Sequence, residues 1–190
     1  MSDDASLIDS ILAGDTEAFG RLVERYQDRL YNTLVRFLGS AEDARDVTQD
    51  TFVQALTKLR TFRRESAFYT WLYRIGFNLA MSSRRRARPC VSIDRLQREA
   101  GAEPSDNGAP PDRNLLQADR AEKVQLALGR LPAEHRQVVV LREIEDCSYE
   151  SMAEILDVPI GTIRSRLFRA RLQLKEHLEE LLKEEVEELT

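Results

Sequence analysis

Apolar residues recur every three or four positions over most of this chain, the spacing of amphipathic helices, and neither half shows the alternation of strands. Thr16 to Leu38 carries Phe19, Leu22, Val23, Tyr26, Leu30, Leu34 and Phe37 at that spacing, which predicts one long helix. Gly39 reads as its terminator and Ser40 as the next N-cap, with Asp43 at the capping-box distance. A second helix is expected from about Ala41 to Leu59, with Ala44, Val47, Phe52, Ala55, Leu56 and Leu59 available to its buried side. A third, roughly Ser66 to Arg86, offers Phe68, Trp71, Leu72, Ile75 and Leu79 as its apolar series. Between Pro89 and Asp112 the pattern stops: Pro89, Pro104, Pro110, Pro111, Gly101 and Gly108 lie among Ser, Asp and Asn, the composition of a flexible linker. Helical spacing resumes from about Leu115 to Leu128, and Pro132 suits the first turn of a helix over Ala133 to Arg142. Ser148 can cap a short helix, Tyr149 to Leu156; Val158 to Gly161 form a break, and a last long helix begins near Thr162. The expected fold is therefore all-α: two small helical domains, 1–88 and 113–190, joined by a flexible linker over 89–112.

Charge sharpens this picture. The 190 residues carry a net charge of -5, which by itself argues against a nucleic-acid partner. The charges are segregated, however. Ten arginines between Arg60 and Arg98 face only Glu65 and Asp94, and Arg164 to Lys175 holds five basic residues and no acidic one. The final stretch, Glu176 to Thr190, has seven glutamates against Lys183. Two basic patches separated by acidic ground suit a DNA-facing protein that grips DNA poorly on its own. Hydrophobic residues make up 42% and charged residues 32%, as in soluble globular chains. No apolar run approaches the roughly 18 residues of a membrane span, and MSDDASLIDS lacks the order of a secretory signal, so a cytoplasmic protein without membrane insertion is expected. Two cysteines and two histidines provide no zinc spacing, and no metal or other cofactor is expected.

Ser148 to Arg171 has the proportions of a helix-turn-helix, so the second domain is expected to hold one. Met152, Ala153 and Leu156 can face the core from the first helix, and Ile163, Leu167, Ala170 and Leu174 from the second. Thr162, Ser165, Arg166 and Arg169 then point outward, with Arg164 and Arg171 at the edges of that face. Arginine can bond two acceptors on guanine, and the hydroxyls can bond phosphate or a base edge. Charge alone would equally describe a solvated surface helix; the turn and the inward apolar series favour a reader of the major groove.

The tract from Leu131 to Leu178 resembles the fourth conserved region of extracytoplasmic-function sigma factors, the smallest branch of the sigma-70 family. Leu131, Pro132, Arg136, Leu141, Tyr149, Ala153 and Ile155 carry the likeness, followed by Gly161 to Leu167 and Arg169 to Arg171. Ser151 and Met152 stand where the family usually has an acidic residue and isoleucine. The resemblance implies recognition of a promoter's minus 35 element and docking on the flap of the polymerase beta subunit.

The first half carries a second likeness. Ala41, Glu42, Asp43, Ala44, Asp46, Val47, Gln49, Asp50 and Phe52 are similar to the family's acidic helix, with Arg45 a departure from its pattern. This implies that Glu42, Asp43, Asp46, Gln49 and Asp50 contact the basic clamp helices of the beta-prime subunit. An ordinary acidic helix start, favoured by the helix dipole, is the plainer reading of the same carboxylates. Phe62 to Arg88 resembles the minus 10 recognition and melting region, with Phe68, Trp71, Leu72, Ile75 and Asn78 in order and Arg84, Arg85 and Arg86 closing it. Phe62, Arg63, Arg64 and Tyr69 are the stronger candidates to hold an unpaired strand by its bases and phosphates. Trp71 has the spacing of a core residue, and Asn78 could cap backbone or bond a base.

The order of these parts implies a sigma factor that brings core RNA polymerase to promoter DNA and assists its opening, with an anti-sigma factor as a further expected partner. Promoter elements about 17 base pairs apart lie near 58 Å at roughly 3.4 Å per step. A 24-residue linker reaches about 80 Å, so the domains need not touch. No constellation suggests an enzyme. A conventional dimeric regulator and a protein that sequesters polymerase are the competing readings. The acidic tail is open to three: a solvated helix end, a shield over the basic helix, or a regulator contact.

Overall fold

The computed structural model describes residues 3–86 and 111–188, with side chains over 4–86 and 120–184. Among the described residues there are eight α-helices and no strand. Four belong to the first half: α1 (Asp3–Leu12), α2 (Thr16–Leu38), α3 (Ala41–Lys58) and α4 (Phe68–Arg86). Four follow the linker: α5 (Pro111–Arg130), α6 (Ala133–Val139), α7 (Tyr149–Leu156) and α8 (Ile160–Glu188). Most of the linker expected over 89–112 falls outside the described residues, although its last two positions, Pro111 and Asp112, already belong to α5. Proline is suited to a first helical turn.

The boundaries of α2 and α3 follow from local chemistry. The Asp15 carboxylate accepts from Glu17 N–H at 2.9 Å and Ala18 N–H at 3.2 Å, capping α2. At the other end Gly39 adopts φ 77°, the left-handed conformation that favours glycine, and donates to the Val35 carbonyl at 2.8 Å. Ser40 Oγ accepts from Asp43 N–H at 3.1 Å and starts α3. Helix α1 was not expected from the sequence; Leu7 and Ile8 are buried, and Asp4 bonds Arg25 at 2.5 Å and the Tyr26 hydroxyl at 2.6 Å on α2.

Helix α4 buries a wider face than its spacing suggests. Tyr73 and Phe77 join Phe68 and Leu72 in the core, whereas Trp71, Ile75 and Leu79 are only partly buried. The reason is that α4 packs on α2 and α3 and also receives α7. A Cβ at Gly76 would lie 3.3 Å from Leu30 Cδ1 and 3.4 Å from Thr51 Oγ1, so the missing side chain sets how closely α4 nests. Leu56, assigned above to the buried side of α3, is instead 48% exposed.

In the second half the expected helix over Ala133 to Arg142 divides. Helix α6 ends at Val139, and Val140–Ile144 form one π-helical turn, closed by Glu145 N–H to the Val140 carbonyl at 3.1 Å. Val138, Val139, Val140 and Leu141 are all buried in this stretch. Beyond it Glu145 and Cys147 turn towards the first domain.

The two halves are in contact. Glu145, 8% exposed, accepts from Arg29 Nε at 2.7 Å, from Thr33 Oγ1 at 2.5 Å and from the Tyr73 hydroxyl at 3.3 Å. Arg136 Nη1 and Gln125 Nε2 donate to the Phe37 and Arg36 carbonyls at 3.0 and 3.2 Å, satisfying the open C-terminal end of α2. The linker length permits separation, but here α7 lies directly against α4.

Candidate nucleic-acid interface

The helix-turn-helix is built by its caps. Ser148 Oγ accepts from Ser151 N–H at 3.1 Å at the start of α7. Asp157 ends α7 in the left-handed conformation at φ 55°, one that aspartate adopts more readily than most residues. The Pro159 carbonyl then accepts from Thr162 N–H at 2.8 Å and Ile163 N–H at 3.1 Å, opening α8 two residues earlier than expected. Met152, Ile155, Ile163, Leu167 and Ala170 form the buried seam. Ile155 thus takes the place expected for Ala153 and Leu156, which are half-buried, as is Leu174.

The outward face of α8 is narrower than the arginine count suggests. Arg164, Ser165 and Arg169 are exposed, and Arg169 has no ion pair among the described residues. Arg166 is turned to the flank, where it meets Glu134 at 3.0 Å with only 23% of its side chain exposed. Arg171 gives Nε and Nη2 to one Glu143 oxygen at 3.0 and 2.6 Å. Thr162 is half-buried. The guanidiniums of Arg164 and Arg142 both lie near the Tyr149 ring, at 5.8 and 5.5 Å. Sequence reading missed Phe168, which stands between Arg164 and Arg169 with 67% of its surface exposed. The available signal was an aromatic residue off the inward series of Ile163, Leu167, Ala170 and Leu174; one apolar ring on a basic face can meet a thymine methyl.

On the first domain, Phe62, Phe68 and Trp71 form an aromatic cluster with centroids 5.1 to 5.9 Å apart. Phe62 and Trp71 remain partly exposed, while Phe68 is core. Arg63 is exposed beside the cluster, as are Asn78, Arg85 and Arg86 farther along α4. Arg64 sits at φ 59° and pairs with Asp9 of α1, and this bond holds the Asp9 carboxyl below its ordinary value. Arg84 is half-buried and donates to the Phe37 carbonyl at 3.3 Å. Tyr69 faces the second domain. Its ring lies 4.1 Å from that of Tyr73, and its hydroxyl is 3.0 Å from Cys147 Sγ. Burial pushes both the Tyr69 hydroxyl and the Cys147 thiol up from their usual values.

Arg136 is 3% exposed and, besides Phe37, bonds the carbonyls of Gly129 and Leu131. Its burial, with Arg84 as a nearby cation, pushes the guanidinium down to about 9. Arg136 therefore organises the backbone rather than facing a phosphate.

The acidic residues occupy a different surface. Glu42, Asp43, Asp46, Gln49 and Asp50 are all exposed along α3, and none makes an ion pair among the described residues. Beside them an open groove of about 520 Å³ runs between α2 and α3, lined by Phe19, Val23, Tyr31, Phe52, Val53 and Leu56. Val53 is 59% exposed there, so a carboxylate face and an apolar groove adjoin, as in a protein-docking surface.

Comparisons with known proteins extend these observations. Residues 22–89 match the family described as Sigma-70 region 2, and residues 121–174 match Sigma-70, region 4. The RNA polymerase sigma-H factor of Pseudomonas aeruginosa is 37% identical over 95% of this chain and 96% of its own. The ECF RNA polymerase sigma-E factor of Haemophilus influenzae is 37% identical over 94% of this chain and 97% of its own. Among solved structures, CnrH in complex with the cytosolic domain of CnrY superposes with a TM-score of 0.69 at 28% identity, covering 94% of this chain and 99% of that one. The sigma factor RpoE in complex with the anti-sigma factor NepR, from Bartonella quintana, gives 0.68 at 26% identity over 86% and 98%. With both conserved regions matched in order and full-length relatives above one-third identity, the chain belongs to the sigma-70 family, in its extracytoplasmic-function branch.

Proposed function

We propose that this protein directs core RNA polymerase to promoters with two sequence blocks and assists DNA opening there, the first domain serving the minus 10 element and the second the minus 35 element. The observation that carries this reading is the combination of an unpaired carboxylate face on α3, an arginine-flanked aromatic cluster at the start of α4 and a basic helix-turn-helix. Glu42, Asp43, Asp46, Gln49 and Asp50 dock the beta-prime clamp helices, where complementary charge speeds encounter and fixes orientation. Phe62 and Arg63 hold the opened strand at the head of α4, with Arg64 and Tyr69 joining once their present partners are released. Asn78, Arg85 and Arg86 continue that track along α4. Arg164, Ser165 and Arg169 read or anchor the minus 35 groove; Arg166, Arg171 and Thr162 stand at its flank, where they bond phosphates. The role is that of a non-catalytic initiation factor in the cytoplasm, bound to the beta flap through its second domain and restrained by an anti-sigma partner. No helix among the described residues is long and apolar enough to cross a membrane.

Transcription by core polymerase on fragmented genomic DNA, with mapping of the 5' ends, tests this directly. New start sites sharing two blocks, lost with Arg164→Ala and Arg169→Ala, are expected. A folded protein that binds core polymerase yet creates no new starts would replace the initiation reading with one of sequestration.

A further inference from the structure

The carboxylate face of α3 contains one cation, Arg45. Glu42 lies three residues before it, Gln49 four after, and Asp46 beside it. Side chains three and four apart meet on a helix surface, so an arginine at this place ordinarily folds back on the neighbouring carboxylate. Arg45 does not. It is exposed, makes no ion pair among the described residues, and lines the groove between α2 and α3 instead.

The groove has two unlike ends. Helices α2 and α3 pack against each other across the short turn at Gly39 and Ser40, so residues late in α2 face residues early in α3. One end is apolar: the Phe19 and Phe52 rings meet edge to face at 6.4 Å, and Val53 and Leu56 are exposed beside them. The other end is polar, with Arg45 on the α3 wall and Asp28 and Tyr31 on the α2 wall. Asp28 is exposed and also makes no ion pair among the described residues, so both charges of the groove are open to a partner. A helix laid here buries its apolar side chains at one end and draws Arg45 out of water at the other. A cation drawn out of water needs an acceptor, and a charge pair at an interface discriminates between partners more than it adds affinity.

We propose that Arg45 sets the register and selectivity of polymerase docking by meeting a carboxylate on the clamp helices, one acidic position among the basic side chains that the rest of the α3 face attracts. This rests on the docking reading given above. A row of carboxylates alone attracts a basic helix in several registers, because sliding by one turn exchanges one pair for an equivalent one. A single cation in the row removes that equivalence. Only the register that puts a carboxylate opposite Arg45 pairs every charge, and each other register sets Arg45 against a like charge. A partner helix that is basic throughout is therefore rejected at this point of the face, while one that carries the matching carboxylate is accepted in one position.

The affinity of the full-length chain for core polymerase, measured by competition against labelled wild type, tests this. Arg45→Lys is expected to stay within about threefold of wild type, Arg45→Ala to lose about tenfold and Arg45→Glu about a hundredfold. Melting temperatures should not change, because the side chain is exposed. Core polymerases in which each acidic residue of the clamp helices is changed in turn to lysine supply a second readout. One of them is expected to restore binding of Arg45→Glu by about tenfold or more while weakening that of wild type. Wild-type or tighter binding by Arg45→Glu, or no polymerase variant that restores it, would overturn the assignment. Glu42→Lys combined with Asp46→Lys tests the acidic face itself. Loss of core binding in that chain but not in Arg45→Glu keeps the docking reading and removes the role of Arg45. Wild-type binding by the doubly reversed chain sinks the docking reading, and the role of Arg45 with it.

Discussion

Replacing Phe168 by alanine separates DNA reading from stability. The ring is 67% exposed, and a phenylalanine buries roughly 200 Å² when fully covered, so about 130 Å² of apolar surface faces water on α8. At about 25 cal/mol per Å², complete coverage would contribute about 3 kcal/mol. A groove wall reaches one side of a ring, so about half of that is expected, near 1.5 kcal/mol or roughly tenfold in promoter affinity. The fold should barely respond, within about 0.5 kcal/mol, because the side chain leaves no cavity and alanine favours the helix. The assay is the concentration of protein giving half-maximal initiation on a minus 35 dependent promoter, with thermal unfolding in parallel. If the ring meets a thymine methyl, uracil at that position should reproduce about half of the loss, about 0.8 kcal/mol for one methyl, and add little to Phe168→Ala. A normal half-maximal concentration, or a loss matched by a lowered melting temperature, would refute the reasoning.

Three further outcomes follow from the geometry. Gly76→Val should destabilise the first domain by about 1–3 kcal/mol in denaturant titrations, since even a Cβ there comes within 3.3 Å of Leu30. Asp9→Asn should lower the urea midpoint at pH 5 but not at strongly acid pH: Arg64 depresses the folded-state pKa of Asp9, so the pair's contribution is present above the unfolded value near 3.9 and lost as pH falls through the folded one. Glu179→Gln, Glu180→Gln and Glu184→Gln together should leave DNA binding at physiological salt within about twofold, because these residues lie ten or more positions beyond Arg169, about 15–22 Å along one helix and outside a Debye length of about 8 Å. A tenfold gain in binding would instead mean that the tail covers the basic face.

The helices from Thr16 onward were legible because each carries its own spacing and caps; Asp15, Gly39, Ser40 and Ser148 need only neighbouring residues to act. Helix α1 was not, since ten residues with two buried apolar side chains, Leu7 and Ile8, give little periodic signal. The acidic face of α3 was readable as a surface, but the groove beside it was not, because Leu56 has core spacing yet lines the open groove between α2 and α3 with 48% of its surface exposed. For the basic helix, composition named the right element and overstated its free charge: Glu134 and Glu143 lie far away in sequence and claim Arg166 and Arg171. Glu145 and Tyr69 were illegible in their present roles for the same reason. Their partners are 112 and 78 residues away, and no local pattern announces a contact across a linker.

These pairings explain how a chain with a net charge of -5 can serve a DNA-reading role. On α8 the cations left without a carboxylate in another element are Arg164, Arg169 and Lys175, and on the first domain Arg63, Arg85 and Arg86 are exposed. While Arg166 and Arg171 stay on their carboxylates, the free cations of α8 can neutralise two or three phosphates, so the second domain alone is expected to bind DNA weakly, with a salt dependence of slope about -2 to -3. Strong promoter binding needs both domains on one DNA, where the second contact gains from the effective concentration set by the first. The acidic tail, carried to the far end of a continuous α8 and paired there with Arg130, need play no part in weakening the binding of either domain.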